Sequence, residues 1–210
     1  MRSEPLVLGF DTSAAHCAAA LVRGDTVLAA RAEDMAKGQA ERLMPLLEEV
    51  LAEAGLGWHD LDALGVGTGP GNFTGVRISV AAARGLALGL GIPAVGVSVF
   101  EALAQDAPRP VAVALDARRD EAYAQLFTPA GAEAPTLTPA ADLADKLAGV
   151  PVIGLTLPHS APLAPRHPLA VAVALVAAAK LGTDQPRPAP LYLRGADAAP
   201  PSDPPPVILD

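Results

Sequence analysis

The spacing of apolar and polar residues divides the first hundred residues into alternating strands and helices. Short apolar runs at the start are separated by a polar turn and by the hairpin dipeptide Gly24-Asp25, which is the pattern of an antiparallel meander. Apolar residues then recur at helical spacing in two long segments, each followed by a buried strand. We predict the order βββαβαβα, with strands at 6–10, 16–21, 26–31, 61–67 and 94–97 and helices at 39–54, 76–90 and 99–105.

This order of elements predicts the fold class and the domain organisation. Three antiparallel strands followed by alternating helices and strands form one lobe of the two-lobed α/β fold of actin, Hsp70 and the sugar kinases (ASKHA, ribonuclease H-like). The Pro-rich segment 106–110 indicates a boundary. We therefore predict a first lobe at 1–106, a smaller second lobe at 109–195 and a Pro-rich, disordered tail at 196–210. In the second lobe the pattern predicts strands at 111–115, 122–127 and 152–155 and helices at 140–147 and 169–181.

The composition argues against direct contact with nucleic acid or membranes. The 210 residues carry a formal net charge of −8, and 3% of them are aromatic, so both the basic patch that binds phosphates and the rings that stack on bases are missing. The longest apolar run, Leu169 to Ala179, is too short to span a bilayer. The single cysteine, Cys17, fits a reducing compartment, and we expect a cytoplasmic protein.

The turn after the first strand, Asp11-Thr12-Ser13, is a candidate phosphate site. A carboxylate on such a turn can hold a metal-bound water, and the amides and hydroxyls after it can meet phosphate oxygens. The alternative is a local turn in which Asp11 accepts hydrogen bonds from nearby backbone amides.

A Gly-rich loop at 67–75, between a buried strand and a helix, is the second candidate. Gly69 and Gly71 permit backbone conformations that other residues resist, and the helix N-terminus offers free N–H groups to an anion. The loop lacks the Lys-Ser/Thr ending of a nucleotide-binding P-loop. The alternative is a rigid loop that positions Phe73 and caps the helix through Thr74.

The same loop resembles the signature of a known family. Residues 67–78 read G-T-G-P-G-N-F-T-G-V-R-I, which is similar to the corresponding segment of the TsaB family of bacterial tRNA-modification proteins. Gln39 stands where the family often has a His. Further segments agree in order along residues 5–194: Leu8 to Thr12, Glu41 to Pro45, Gly89 to Pro93, Gly96 to Ser98, Leu115 to Tyr123 and Pro190 to Arg194.

The resemblance implies a function without catalysis. TsaB-like proteins are subunits required for threonylcarbamoylation of adenosine 37 (t6A) in tRNA. They scaffold and activate the catalytic subunit TsaD together with the ATPase TsaE, and homodimers are possible when they are alone. The implied protein has no cofactor, no metal and no catalytic residue, and reaches tRNA only through TsaD. The two His that hold a metal in TsaD align here with Val99 and Leu103, which cannot bind an ion.

We also expect a degenerate nucleotide cleft. Active members of the fold use small residues in the second phosphate loop, where this chain has Asp116-Ala117-Arg118. Arg118 is expected to form an ion pair with Glu121 or Asp11, although a cation there can also bind phosphate. The degenerate cleft comprises Asp11, Thr12, Gly69, Gly71, Thr74 and Arg118.

The helix at 76–90 is apolar nearly all round, so both of its sides have to be covered. One side carries small residues at 81, 85 and 89, which let another backbone approach closely. Either the first helix of the same lobe or a partner chain covers this side, and the resemblance implies pairing through the first two helices. The expected interface residues are Leu43, Leu46, Leu47, Val50, Ile78, Ala81, Ala82, Gly85 and Gly89.

Two enzymatic functions are alternatives to the binding subunit. The first is a small kinase or ATPase that uses Asp11 and the loop from Gly69 to Gly75, and it requires tight binding of Mg-ATP by the isolated chain. The second is a metalloprotease, which requires bound zinc, although the sequence contains no H-E-x-x-H motif.

Overall fold

The computed structural model describes residues 4–194 and contains two β-sheets. The strands of the first sheet are β1 (Leu6–Asp11), β2 (His16–Arg23), β3 (Thr26–Asp34), β4 (Ala63–Gly67) and β5 (Ala94–Val97). They lie in the order β3-β2-β1-β4-β5. The first three strands pair antiparallel, whereas β1, β4 and β5 are parallel and therefore end at the same edge of the sheet.

Side chains that alternate along β1 form two apolar layers, one on each face of the first sheet. Leu6, Leu8 and Phe10 point to one face, which is covered by α1 (Gln39–Glu53) and α2 (Phe73–Leu90). The short helix α3 (Val99–Leu103) follows β5 directly. The observed order βββαβαβα confirms the prediction for this part of the chain, with a short 3-10 turn at Trp58–Asp60 added before β4.

The second sheet is smaller and is built from residues after 110. Its strands are β6 (Val111–Asp116), β7 (Glu121–Thr128), β8 (Gly131–Ala132), β9 (Thr136–Pro139), β10 (Pro151–Gly154) and β11 (Ala161–Leu163), with α4 (Ala140–Lys146) between β9 and β10. They lie in the order β11-β10-β6-β7-β8, with β9 also paired to β7. An antiparallel hairpin, β6–β7, forms its centre.

A helix from the far end of the chain covers the other face of the first sheet. This helix, α5 (Leu169–Lys180), is buried at every position from 170 to 177. Two glycines let its backbone approach the sheet. A Cβ on Gly9 would lie 2.6 Å from the amide nitrogen of Ala174, and one on Gly65 would lie 2.9 Å from the carbonyl oxygen of Val173.

The position of α5 bears on the predicted division of the chain. The lobe boundaries at 106 and 109 stay a prediction, but α5, which the division assigns to the second lobe, packs against the first sheet. The reason is that an apolar helix with no polar face has to be covered all round, and the uncovered face of a five-stranded sheet provides that surface. The predicted tail at 196–210 lies outside the described residues.

We expect Gly9→Ala to destabilise the chain by ~1–3 kcal/mol, because the added methyl group overlaps the backbone of α5. Gly85→Ala is the matched control. Gly85 lies inside α2 with nothing within 4 Å of an added Cβ, so the same change should stabilise the chain by ~0.5–1 kcal/mol. Urea unfolding of both variants measures the difference, and equal effects would contradict the packing of α5 against β1.

Candidate functional site

The parallel strands β1, β4 and β5 end beside one another and form a crevice at the edge of the first sheet. In open α/β sheets ligands bind at this edge, because loops with free backbone groups converge there. The turn Asp11-Thr12-Ser13 lies at the end of β1, and the Gly-rich loop 67–75 runs from the end of β4 into the first turn of α2. The structure therefore places both predicted phosphate-binding segments at one location.

Asp11 is fully buried, and its carboxylate is held from within the chain. Its Oδ1 atom accepts hydrogen bonds from the backbone N–H and the hydroxyl of Ser13, both at 2.8 Å, and lies 2.7 Å from Nε2 of His16. The Oδ2 atom has no hydrogen-bond partner in residues 4–194 and faces Gly67, where a Cβ would lie 1.7 Å from it. This is the local-turn alternative of the sequence analysis, with one addition, the imidazole of His16.

His16 is a partner of Asp11 that sequence reasoning missed, because no motif contains it. It begins β2, opposite Asp34 of β3, and the antiparallel pairing of β1 with β2 brings it to the buried carboxylate. The hydrogen bond to Asp11 raises the pKa of His16 above its usual value, and the charges of Asp11 and Asp34 add to this effect against the opposing cost of burial. The contact with His16 therefore gives the fully buried carboxylate of Asp11 a hydrogen-bond partner, and it favours the protonated form of the imidazole.

The turn and the Gly-rich loop contact each other through their backbones. The hydroxyl of Thr12 donates to the carbonyl oxygen of Gly75 at 2.7 Å, and the amide of Asn72 donates to the carbonyl oxygen of Ser13 at 2.5 Å. A Cβ on Gly71 would lie 2.2 Å from Ser13 O, and one on Gly75 would lie 2.0 Å from Thr12 O. These glycines therefore serve contact between two loops of the same lobe.

The first residues of α2 correct one prediction about this loop. The side chain of Asn72 caps the helix, since its Oδ1 accepts from the amides of Thr74 at 3.0 Å and Gly75 at 3.1 Å. Thr74 is exposed in the first turn of the helix, so the prediction that Thr74 is the cap is wrong. Gly69 adopts a φ of 88°, and its carbonyl oxygen accepts from the amide of Val99 at 2.8 Å.

Arg118 lies exposed in the β6–β7 turn, and its backbone has a φ of 63°. Its amide donates to Oδ1 of Asp116 at 2.8 Å. The predicted ion pair with Glu121 or Asp11 is wrong, because these two carboxylates are bound by other cations. Glu121 is paired with Arg194, and Asp11 with His16. The sequence could not rank these partners, since Arg194 lies 73 residues from Glu121.

A segment near the end of the described chain crosses the crevice, and we name residues 188–194 the strap. A Cβ on Gly96 of β5 would lie 3.5 Å from Cα of Pro188, and the amide of Leu191 donates to the carbonyl oxygen of Thr68 at 2.8 Å. Nη2 of Arg194 then donates to the carbonyl oxygen of Ala117 at 2.9 Å and to Glu121 at 2.6 Å. The strap thus bridges the Gly-rich loop and the second predicted phosphate loop.

Four of the predicted interface residues lie in the core. Helical spacing identified an apolar stripe on α1 but not what covers it, and the structure shows that the first sheet does. The prediction that these side chains contact a partner is wrong. Their exposure is 1% or less: Leu43, Leu46, Leu47 and Val50.

The other predicted interface residues lie on α2. Ala81, Gly85 and Gly89 are exposed, and an added Cβ on either glycine would meet nothing within 4 Å. Ile78 and Ala82 are half-buried against the core beneath them. The first helix of the same lobe therefore leaves this side of α2 open, which removes one of the two explanations for its small residues. A role in partner binding stays a prediction for these five residues.

The outer face of α2 is apolar and exposed beyond those small residues. Leu88 is 87% exposed and Phe73 is 59% exposed. The only charged residues of the helix are Arg77 and Arg84. By length and composition α2 is the one helix within residues 4–194 that could cross a membrane, but its inner side is buried against the sheet of its own lobe. A groove of about 490 Å³ runs along its C-terminal half and is lined by Arg84, Gly85, Ala87, Leu88, Ile92, Ala94, Arg187 and Pro188.

An aromatic cluster continues this face at the N-terminal end of α2. The guanidinium of Arg77 lies 3.3 Å from the ring centroid of Phe73 and 5.3 Å from that of Tyr192. The two rings are 5.6 Å apart. Tyr192 belongs to the strap and is 48% exposed. The strap and α2 therefore share one exposed surface of aromatic and guanidinium groups.

The positions aligned with a metal pair lie on α3. Val99 is buried, and Leu103 packs against the apolar cluster between α3 and the second sheet. Across the described part of the chain, no three His, Cys, Asp or Glu side chains are grouped so that they could hold a metal ion.

Comparison with known proteins identifies the family. Residues 31–181 match the family model described as TsaD, tRNA N6-adenosine threonylcarbamoyltransferase. The chain belongs to the TsaB/TsaD family. Its similarity within this family is to TsaB: the Escherichia coli protein named tRNA threonylcarbamoyladenosine biosynthesis protein TsaB is 39% identical over 122 residues, which cover 56% of this chain and 52% of that protein. The resemblance found in the sequence is thus confirmed.

The share of each relative's length that the chain covers differs between relatives. The chain spans about half the length of the TsaB proteins it matches first, from Escherichia coli and Haemophilus influenzae. An uncharacterized protein of Mycobacterium tuberculosis is 38% identical over 204 residues, covering 92% of this chain and 94% of that protein. YeaZ from Pseudomonas aeruginosa has a TM-score of 0.73 at 27% identity and covers 90% of this chain and all of that structure. The predicted fold class is confirmed.

The His16–Asp11 pair predicts a pH-dependent stability. Because the pKa of His16 is raised in the folded state, its contribution is full below the unfolded pKa of about 6.5 and is lost as the pH rises through the folded value. His16→Gln should therefore cost more at pH 6 than at a pH above the folded pKa, where a charge-assisted hydrogen bond of ~1.5–3 kcal/mol is no longer present. Urea unfolding at both pH values measures this. His59→Gln, at an exposed site, is the control, and a pH-independent cost would contradict the pairing.

Proposed function

We propose that this chain is a non-catalytic subunit in the biosynthesis of threonylcarbamoyladenosine at adenosine 37 of tRNA. It acts as scaffold and activator of a TsaD-type catalytic subunit, together with the ATPase TsaE. The observation that carries the proposal is the outer face of α2, which is apolar and exposed although α1 and the first sheet are in place. The names of the relatives support the pathway, since several are described as tRNA threonylcarbamoyladenosine biosynthesis proteins.

The shape of this face supports a helical partner. Positions 81, 85 and 89 recur every fourth residue and carry only small groups, so a second helix can approach the backbone of α2 closely. Leu88 beside this stripe and Phe73 at its N-terminal end supply the apolar area that a stable interface removes from water. The chain can pair with itself in the same way when the catalytic subunit is absent.

The charge of the chain supports an indirect role toward tRNA. A chain of net charge −8 with no Lys/Arg-rich run offers few contacts to phosphates, so the release of counterions that drives binding to nucleic acid is small. The positive surface that holds tRNA therefore belongs to the catalytic partner. The cytoplasm, where tRNA is modified, is the proposed compartment.

The kinase or ATPase alternative has less support. Of the predicted cleft, Asp11 is buried and bonded to Ser13 and His16, while the turn and the Gly-rich loop are in contact with each other. The strap lies between that loop and the β6–β7 turn. A phosphate needs exposed donors at these positions, so we propose that the cleft is degenerate.

Titration of the isolated chain with Mg-ATP tests this alternative. We expect no saturable heat at micromolar protein and ligand, because the donors that a phosphate needs are engaged within the chain. A sugar kinase, which uses ATP as its substrate, is titrated in the same way as the positive control for the method. Micromolar affinity accompanied by ATP hydrolysis would favour the enzyme and contradict the non-catalytic subunit.

Gly85→Trp tests the proposed interface. The site is open, so the variant should fold with an unchanged circular dichroism spectrum, and the indole should block the approach of a second helix. We expect co-purification with the TsaD-type partner from the same organism to fall by at least about 100-fold, as for a hot-spot change. Ala141→Trp, an exposed helical site in α4, is the matched control. If the Gly85 variant still co-purifies, the partner does not bind this face.

A further inference from the structure

Side chains of the strap alternate between two environments. Leu191 and Leu193 pack into the apolar cluster between α3 and the second sheet, whereas Tyr192 points outward onto Phe73. We propose that the strap couples closure of the crevice to partner docking, with Tyr192 as a contact residue of the docking surface and Arg194 as the residue that positions it. This inference rests on the proposed function, because it concerns the same partner.

The inner side of the strap is held on both sides of Tyr192. Before Tyr192, the amide of Leu191 donates to Thr68 O in the Gly-rich loop at 2.8 Å. After Tyr192, Arg194 donates to Ala117 O at 2.9 Å and to Glu121 at 2.6 Å, in the second sheet. Between these points only one residue, Tyr192, is exposed. The position of Tyr192 therefore depends on the hydrogen bonds that Leu191 and Arg194 make on the inner side of the strap.

The outer side of the strap extends the face of α2. Phe73, Arg77 and Ala81 follow one another at intervals of four residues, and Gly85 and Gly89 continue the same stripe. Tyr192 stands beside the first two of these and thus belongs to the same continuous surface. Tyrosine and arginine are the residue types most often found at the energetic centre of protein interfaces. The aromatic cluster is therefore an anchor of the docking surface rather than its margin.

The charges of the surface specify the chemistry of its occupant. Both charged residues of α2 are arginines, Arg77 and Arg84, and Arg187 adds a third beside the groove. In an otherwise acidic chain this concentration of positive charge favours a partner face that is apolar at its centre and carries carboxylates at its edge. We assign that face to the catalytic partner of the proposed function.

The strap couples the crevice to the docking surface because its inner side contacts the first and its outer side belongs to the second. When the strap is closed, Tyr192 is already in place, so docking does not have to order it. When the inner anchors are lost, Tyr192 leaves Phe73 and docking must first restore the strap. Linkage requires the reverse effect as well: a docked partner stabilises the closed strap and with it the hydrogen bond between Leu191 and Thr68.

Binding of the partner by full-length variants tests the positioning role. We expect Arg194→Ala to weaken binding of the purified TsaD-type partner by about tenfold, the loss typical of a charged hydrogen bond. Arg194→Lys should restore most of the affinity, because a lysine ammonium can donate to the same two oxygens. Arg166→Ala, at an exposed arginine outside the strap, should bind like the unmodified chain.

Hydrogen exchange at the Leu191 amide provides a readout that a merely structural role would not change. In the unmodified chain we expect partner binding to slow this exchange by at least about tenfold, although the amide faces away from the partner. In Tyr192→Ala, which should fold normally because the ring is half exposed, the slowing should disappear. Arg194→Ala and Tyr192→Ala should be non-additive in a double-mutant cycle.

The outcomes separate the two proposals. Failure of the unmodified chain to bind the partner overturns the proposed function and this coupling together. Normal binding by Arg194→Ala, or unchanged exchange of the Leu191 amide on docking, overturns the coupling and leaves the proposed function in place. Occupation of the face only by a second copy of the chain overturns the choice of partner.

Discussion

The first sheet has two apolar faces, and covering both of them determines the path of the chain. Helices α1 and α2, which follow β3 and β4 in the chain, cover one face, whereas the other face is covered by α5, which begins 158 residues after the end of β1 (residue 169 against residue 11). Close contact at Gly9 and Gly65 holds α5 against the sheet. Because the chain must return to the first sheet after building the second, the residues beyond α5 emerge next to the crevice and cross it as the strap.

Because the chain returns to the first sheet, its own backbone and side chains occupy the crevice. In a sheet of this type the carboxyl ends of parallel strands offer backbone groups to a ligand, but here the chain uses those groups itself. The turn and the Gly-rich loop contact each other, and the strap bonds to Thr68 on one side and to Ala117 and Glu121 on the other. The buried carboxylate of Asp11 is compensated by His16. The groups at this edge of the sheet are thus engaged within the chain itself.

That surface is the outer face of α2, extended by the aromatic cluster. A helix that is buried on one side and apolar on the other keeps the second side available for association. The absence of side chains at Gly85 and Gly89 sets how closely a second helix can approach. Arg77, whose guanidinium lies over the ring of Phe73 and near that of Tyr192, adds positive charge to this face. The crevice and the proposed docking surface share one segment of the chain, the strap.

The sequence by itself determined the features that depend on neighbours in the chain. The order of strands and helices up to residue 105 follows from periodicity, the turn at Asp11 from its side-chain chemistry, and the family from the motif at residues 67–78. The tertiary structure decided the contacts between distant segments. Helical spacing on α1 could not show that Leu43 and its neighbours face their own sheet, nor could composition place α5 on the first sheet. Likewise, only the tertiary structure could show that Asp11 pairs with His16 and that Glu121 pairs with Arg194. The strength of an ion pair depends on distance and burial, and local spacing in the sequence encodes neither.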